Sequence, residues 1–405
     1  MTTGIGKSVP DVATEAEDTT KLTAFNDGDA PGAEALDSLA EEEGRAVDVA
    51  SQWQLMRWKF MRHRAAVVSL WFVIAIYAIG AFCEFLAPQD PNETSGSYAY
   101  APPMDIHLFE DDWTFNPHVK GLDSTRDPLT FRLDYTVNEE EILPIRFFVK
   151  GDSYMFWGLF EWDRHFIGTV DPDAPFYWLG ADRLGRDNLS RIIYGTRVSL
   201  SIGLVGVALS LVIGLVLGGI SGYYGGRIDR IIQRTMEFLR SMPTIPLWMG
   251  LAAAIPLTWP PLGVYFMITI LLSLIGWTSL GRETRGKVMA LKNEDFVIAA
   301  RLDGVSEFRI ITRQLIPAFM SHIIAVTTLA IPQMILAETA LSFLGIGLQA
   351  PVVSWGVLLQ EAQNVNTVAT APWLLLPGVA VVTAVLALNF LGDGLRDAAD
   401  PYSHH

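Results

Sequence analysis

Six apolar runs, at 65–87, 197–222, 231–256, 261–281, 317–346 and 372–392, stand out from a chain whose other segments are richer in polar residues. About 20 mostly apolar residues cross the hydrocarbon core of a bilayer as a helix, so each run predicts one membrane span. Cationic residues orient them. Arg57, Lys59, Arg62 and Arg64 precede the first run, Arg227, Arg230 and Arg234 lie between the second and third, and Arg282, Arg285, Lys287, Lys292, Arg301, Arg309 and Arg313 fill the fourth-to-fifth connection. Positive residues favour the cytoplasmic side, which puts all three groups inside, both termini inside and the stretch 88–196 outside. Trp58, Trp71, Trp259 and Trp373 fall near span ends, where aromatic rings anchor at the interface. Gly203, Gly206, Gly214, Gly218 and Gly219 give the second run faces on which helix backbones approach closely, which predicts a packed bundle.

The outer stretch has a different period. Thr130 to Thr136 and Leu143 to Val149 read as strands, with Asn138 and Glu139 to Glu141 as the turn between them. A loop of this length is usually structured or functional, and a small folded cap with β-strands is expected here. His107, His118 and His165 lie apart and do not have the spacing of metal ligands.

Charge adds a second polar block. The formal net charge is −15, and most of it comes from the first 52 residues, among them Asp11, Glu15, Glu17, Asp18, Glu41, Glu42 and Glu43. Such a segment buries too little apolar surface to offset the entropy of ordering, and is expected to be a disordered cytoplasmic tail. It is too long and too acidic to read as a secretory signal. Cys83 is the sole cysteine, so no intramolecular disulfide forms. An acidic chain without a basic stripe argues against nucleic acid as a partner.

Between the fourth and fifth runs the chain reads Ile298-Ala299-Ala300-Arg301-Leu302-Asp303-Gly304 and later Leu315-Ile316-Pro317. Ala299 and Ala300 are small enough for close approach, Gly304 allows a sharp turn, and Pro317 suits the start of a span. This insert resembles the EAA loop of importer-type ABC permeases, with Ile298 where that pattern has Glu. Before the second run, Leu179-Gly180-Ala181-Asp182-Arg183-Leu184-Gly185-Arg186-Asp187-Asn188-Leu189-Ser190-Arg191 resembles the signature of the dipeptide/oligopeptide/nickel permease family, with Ala181 in place of Thr. Glu338 to Gly347 with Ser354-Trp355-Gly356, and Asn389 to Asp397, extend the likeness toward its C-type subunit.

The resemblance implies an all-α membrane protein, a six-span type I importer permease bundle with an added extracytoplasmic cap between spans one and two. The expected divisions are 1–52 for the tail, 53–88 for an N-terminal amphipathic segment and the first span, 89–178 for the outer insert and 179–402 for the core, with the coupling loop near 294–317. It implies a bacterial inner membrane, a homologous second permease, two ABC ATPases and an extracytoplasmic substrate-binding protein. Phe296, Ala299, Ala300, Arg301, Asp303, Gly304 and Pro317 would form the ATPase-coupling loop. Gly180, Asp182, Gly185, Arg186, Asp187, Ser190 and Arg191 would form a rigid collar at the outer entrance.

Charge inside a span is expensive and needs a partner or an aqueous path. Glu237 and Arg240, one turn apart in the third run, are expected to pair as a structural latch. Glu338 beside Ser342 is a candidate for the translocation path or for a hydrogen bond to a neighbouring helix. No phosphate-binding Gly-x-x-x-x-Gly-Lys-Ser/Thr loop is present, so the chain itself is not expected to hydrolyse ATP; the resemblance implies a transport subunit that is not an enzyme, with ATP and Mg²⁺ bound in partner ATPase subunits. No Ser/His/Asp set and no metal set can be assembled. A secondary transporter or channel would predict inverted repeats and midplane carboxylates, which the sequence lacks. The resemblance implies peptides as the leading substrate, with nickel complexes or oligosaccharides as alternatives.

Overall fold

The computed structural model describes residues 52–399 apart from 111–112, 130–131, 172–173, 175 and 257; the expected acidic tail, residue 52 excepted, lies outside the described residues. The described residues from Met56 onward form one unit, and the architecture below is that of this unit, entered by a helix that starts at Gln52. Helix α1 (Gln52–Arg62) is followed by α2 (Arg64–Ala81), a short α3 (Cys83–Leu86), and then a sheet. The bundle follows with α4 (Asn188–Tyr224), α5 (Gly226–Ser241), α6 (Thr244–Ala252) and α7 (Pro261–Leu291). Beyond it come α8 (Asp295–Leu302), α9 (Glu307–Ile310), a π-helical turn (Ile311–Leu315), α10 (Ile316–Ala318), α11 (Met320–Phe343), α12 (Trp355–Gln360), α13 (Val365–Thr370) and α14 (Leu376–Ala399).

Among the described residues five helices are long and apolar enough to cross a membrane: α2, α4, α7, α11 and the stretch Pro372–Ala399 that contains α14. The run 231–256, expected as one span, is divided instead. Pro243 lacks an N–H and pushes Met242 into an extended conformation (ψ 140°), so α5 ends at Ser241 and α6 restarts at Thr244. Helix α5 is amphipathic: Arg227, Arg230, Arg234, Glu237 and Arg240 give it one polar side, and Met236 is its buried residue.

Helices α4 and α7 run parallel. Tyr265 donates to Ser201 (3.0 Å), Ser273 donates to the Gly206 carbonyl (2.9 Å), and farther along Gly218 abuts Gly281 and Gly222 abuts Arg285 and Val288. Contacts therefore ascend together along both helices. Two parallel helices require the intervening chain to return along the bundle, and α5–α6 supplies that return. Asp229 sits beside Ser221 and Arg285 at one end, and Ala252 packs with Ile202 and Ile268 toward the other. Glycine makes the α4–α7 approach close: a Cβ on Gly218 would overlap the Gly281 carbonyl, and one on Gly214 would meet Leu280 at 2.9 Å.

The insert folds as a four-stranded antiparallel sheet in the order β1 (Ile106–Phe109), β2 (Phe115–Arg126), β3 (Leu133–Phe156) and β4 (Phe160–Thr169). Its centre packs Val119, Leu122 and Ile145 against Ala101, Met104, Phe176 and Tyr177. Residues 138–141, expected to form a hairpin turn, lie within one long strand. Lys120 pairs with Ile142 and its neighbour Gly121 with Asn138, so Glu139 to Glu141 bulge out without reversing the chain. Alternation on both sides of a bulge resembles two strands with a turn, and only pairing with β2 distinguishes the cases.

Candidate functional site

The predicted collar residues come together at the start of α4. Asp187 caps that helix, its carboxylate accepting from the backbone N–H groups of Leu189 (3.3 Å) and Ser190 (2.7 Å). Burial nonetheless pushes the Asp187 carboxyl up to about 6, against the lowering effect of those bonds. Asp182 accepts from its own loop at Leu184 N (2.8 Å) and Arg186 N (3.0 Å) and pairs with the guanidinium groups of Arg186 (2.6 Å) and Arg191 (3.4 Å). Glu361 joins this cluster within 3.4 Å of Arg186 and 3.6 Å of Arg183; burial and the Asp182 charge raise its carboxyl. Ser190 accepts from Gln89 N (3.1 Å), and Trp373 donates to the Ala181 carbonyl (2.9 Å).

Gly180 and Gly185 have φ of +72°, a conformation that only glycine adopts freely. A Cβ on Gly185 would overlap the Ser95 carbonyl, and one on Gly180 would strike the Trp373 ring. The collar thus clamps residues 89–101, the start of α4 and the segment 361–373 into one body. It is a braced structural joint. Sequence reading identified its 180–191 half but missed Glu361 and Gln89, because each lies about 90 or more residues away along the chain.

A second joint went unforeseen. The Arg197 guanidinium makes a bidentate pair with Glu84 and also donates to the Gly80 (2.8 Å) and Ala81 (2.9 Å) carbonyls. Burial alone would raise the Glu84 carboxyl, but the Arg197 hydrogen bonds hold it below its ordinary value. A lone acid near the end of the first apolar run was the available signal.

Glu338 is fully buried, and it has the partners that the sequence did not reveal. Ser342 and Ser354 each donate to it at 2.8 Å and Ser199 at 3.4 Å. These hydrogen bonds, which the second alternative expected, join α4, α11 and the start of α12; Glu338 is not among the residues that line a cavity in the bundle. That cavity, about 300 Å³, lies between α4, α6, α7 and α11. Its walls are apolar apart from Ser210, Ser279, Gln333 and the Trp248 indole, whose Nε1 is buried without a partner among the described residues. None of its lining residues is charged.

The Glu237–Arg240 latch is also corrected. Glu237 pairs with Arg234 at 2.7 Å, on an exposed face of α5. The i,i+3 spacing is the same in both directions, so spacing alone could not choose. The pair that ties α5 to the bundle is Asp229 with Arg285, bidentate at 2.6 and 2.7 Å.

At the opposite end from the collar, α8 and α9 fold over the bundle. Val297 and Ala300 turn inward onto Tyr223, Val288, Ile310 and Leu315. Arg301 lies over the Tyr223 ring, 5.1 Å from its centre. Gly304, at φ +75°, ends α8: its N–H reaches the Arg301 carbonyl and the Val305 N–H reaches that of Ala300, the paired bonds of a glycine cap. Phe296, Ala299, Asp303, Leu302 and Phe308 face outward. Leu302 is 83% and Phe308 77% exposed. Pro317 stands in α10, and the next long helix begins three residues later, at Met320.

Residues 214–403 match the family described as the binding-protein-dependent transport system inner membrane component, and residues 51–103 match the N-terminal TM domain of oligopeptide transport permease C. The chain is 39% identical over 232 residues to a dipeptide transport system permease protein of Bacillus subtilis, covering 57% of this chain and 70% of that one. It is 38% identical over 240 residues to an oligopeptide transport system permease protein of Haemophilus influenzae, covering 59% and 75%. A glutathione transport system permease protein of Pectobacterium atrosepticum is 36% identical over 242 residues, covering 60% and 77%. An inward-facing structure of the MetNI methionine ABC transporter overlaps 52% of this chain and 97% of its own at 16% identity, with a TM-score of 0.39.

Proposed function

We propose that this chain, which belongs to the family of binding-protein-dependent transport system inner membrane components, is the C-type permease of a peptide importer, working with a homologous permease, two ABC ATPases and an extracytoplasmic binding protein. Peptide as cargo rests on the relatives, whose names specify dipeptide, oligopeptide and glutathione transport. The chain transports and does not catalyse; ATP with Mg²⁺ binds and is hydrolysed in the ATPase subunits. The bundle sits in a bacterial inner membrane, with the α8–α9 end cytoplasmic because Arg282, Lys287, Arg301, Arg309 and Arg313 gather there. The collar and the sheet are then outside. Helices α5 and α6 together make a sixth passage, broken at Pro243, which returns both termini to the cytoplasm.

The observation that carries the reading is the apolar face of α8 and α9. Phe296, Leu302 and Phe308 project from a helix pair whose inner side is already packed against the bundle. Apolar side chains gathered at an aqueous end mark a protein interface. Motion of an ATPase seated there passes through Val297 and Ala300 into Tyr223 and Val288, and so into α4 and α7. Between these helices and α11, the uncharged cavity offers the Trp248 N–H, Gln333 and two serines to a passing peptide backbone without an ionic trap.

Leu302→Glu tests this. Its side chain is nearly all exposed, so the fold should persist while the apolar contact is lost. Affinity purification of the native chain from gently solubilised membranes should recover a second permease and ATPases, and the variant should recover the permease with the ATPases depleted. Equal ATPase recovery with both chains would overturn the assignment of α8 as the docking element.

A further inference from the structure

The hairpin formed by β3 and β4 carries apolar side chains that the soluble surface of a sheet does not normally bear. At its turn Trp157 (φ 50°) and Gly158 (φ 71°) reverse the chain, and Trp157 and Leu159 stand 56% and 74% exposed. Phe160, on the following strand, is 51% exposed. The turn is also fixed in place: the Trp157 Nε1–H donates to the carbonyl of Ala81, the last residue of the α2 span, at 2.6 Å. Phe82 packs on Phe156, and Phe85 on Phe148, Trp162 and Phe166, with ring centres 5.8–6.1 Å apart.

Depth follows from that contact. The 18 residues of α2 span about 27 Å at 1.5 Å per residue, close to the thickness of the hydrocarbon core. Ala81 therefore lies at the boundary between acyl chains and headgroups, and Trp157 with it. The outward side chains of α2, among them Trp71, Ile74 and Ile79, and that of Phe82 just after it are exposed, so the apolar surface continues from the span onto the hairpin.

We propose that the β3–β4 turn is a membrane-seated wedge, with Trp157, Leu159 and Phe160 immersed in the interfacial layer of the outer leaflet and the lipid bilayer as the occupant of this face. Tryptophan at this depth places its ring among the acyl carbons and its N–H at a polar site, here the Ala81 carbonyl. Anchored in this way, the sheet cannot swing freely over the collar, and its orientation is fixed relative to α2.

The test uses the full chain, as it purifies, in phosphatidylcholine nanodiscs, with a nitroxide attached at Leu159→Cys and, for comparison, at Ser124→Cys on the exposed end of β2. Cys83 does not compete, being buried with its thiol pushed up to about 12; the parent chain serves as the blank. The expected result is that the label at 159 relaxes several-fold more with oxygen than with a water-soluble nickel chelate, and the label at 124 the reverse. Chelate access at 159 equal to that at 124 would place the turn in water, and shielding of 159 from both reagents would place it under a protein partner. Either result overturns the proposal.

Discussion

A buried carboxylate is strongly destabilising unless polar groups replace its lost water, and Glu338 meets that demand with three serine hydroxyls from separate elements. Glu338→Gln keeps an acceptor for them, whereas Glu338→Ala leaves the hydroxyls of Ser342 and Ser354 facing a void. The alanine variant should lose about 1–3 kcal/mol of stability, seen as a lower unfolding midpoint in detergent, and peptide uptake by the glutamine variant should be close to normal. If the glutamine variant stays folded but loses uptake, the carboxylate acts on cargo. The sequence marked Glu338 as exceptional because it is a lone charge in an apolar run. Ser342, one turn away, was legible as a neighbour; Ser199 and Ser354 were not, since nothing local specifies which distant hydroxyl a carboxylate meets. The same limit explains why Glu84 with Arg197 and Asp229 with Arg285 were missed.

Elements were most legible where a single period ran without interruption. The runs behind α2, α4, α7, α11 and α14 gave helices at nearly the expected places, because backbone hydrogen bonds in an apolar stretch leave a helix as the available solution. Expectation failed at two interruptions. Pro243 broke a run whose average hydropathy hid the amphipathic character of α5, and the acidic bulge at 139–141 mimicked a turn. Glycine in α4 was read correctly as a packing face, although which helix it would face was open. Gly214 and Gly218 face α7, where the approach leaves no room for a side chain, whereas Gly203 and Gly206 face Ile335 and Met334 of α11. Gly218→Ile should therefore lower the amount of folded chain in the membrane sharply, overpacking costing about 1–3 kcal/mol or more, while Gly250→Ala, with open space around it, serves as the neutral comparison. Quantitative blotting of membrane fractions decides it, and equal accumulation of both variants would contradict the α4–α7 contact.

At the scale of the whole molecule, the collar and the α8–α9 pair occupy opposite ends of α4, which at 37 residues is about 55 Å long and so exceeds the hydrocarbon core. The parallel course of α4 and α7 requires α5 and α6 to traverse between them. In right-side-out vesicles an impermeant maleimide should label Trp259→Cys directly and Arg230→Cys only after the membrane is opened; labelling of both from one side would refute the sixth passage. The sequence by itself determined that the chain crosses a membrane repeatedly, which end gathers positive charge, and which motifs resemble a permease. Those properties are carried by composition and by residues close together along the chain. Only the tertiary structure decided that the third run is divided into two helices at Pro243, that Glu338 is caged and an uncharged cavity lies elsewhere in the bundle, that Glu361 completes the collar, and that an aromatic hairpin is pinned to the end of the first span. Each of these depends on residues tens to hundreds of positions apart, and which of many possible partners is met is fixed by the packing of whole elements and not by any local pattern.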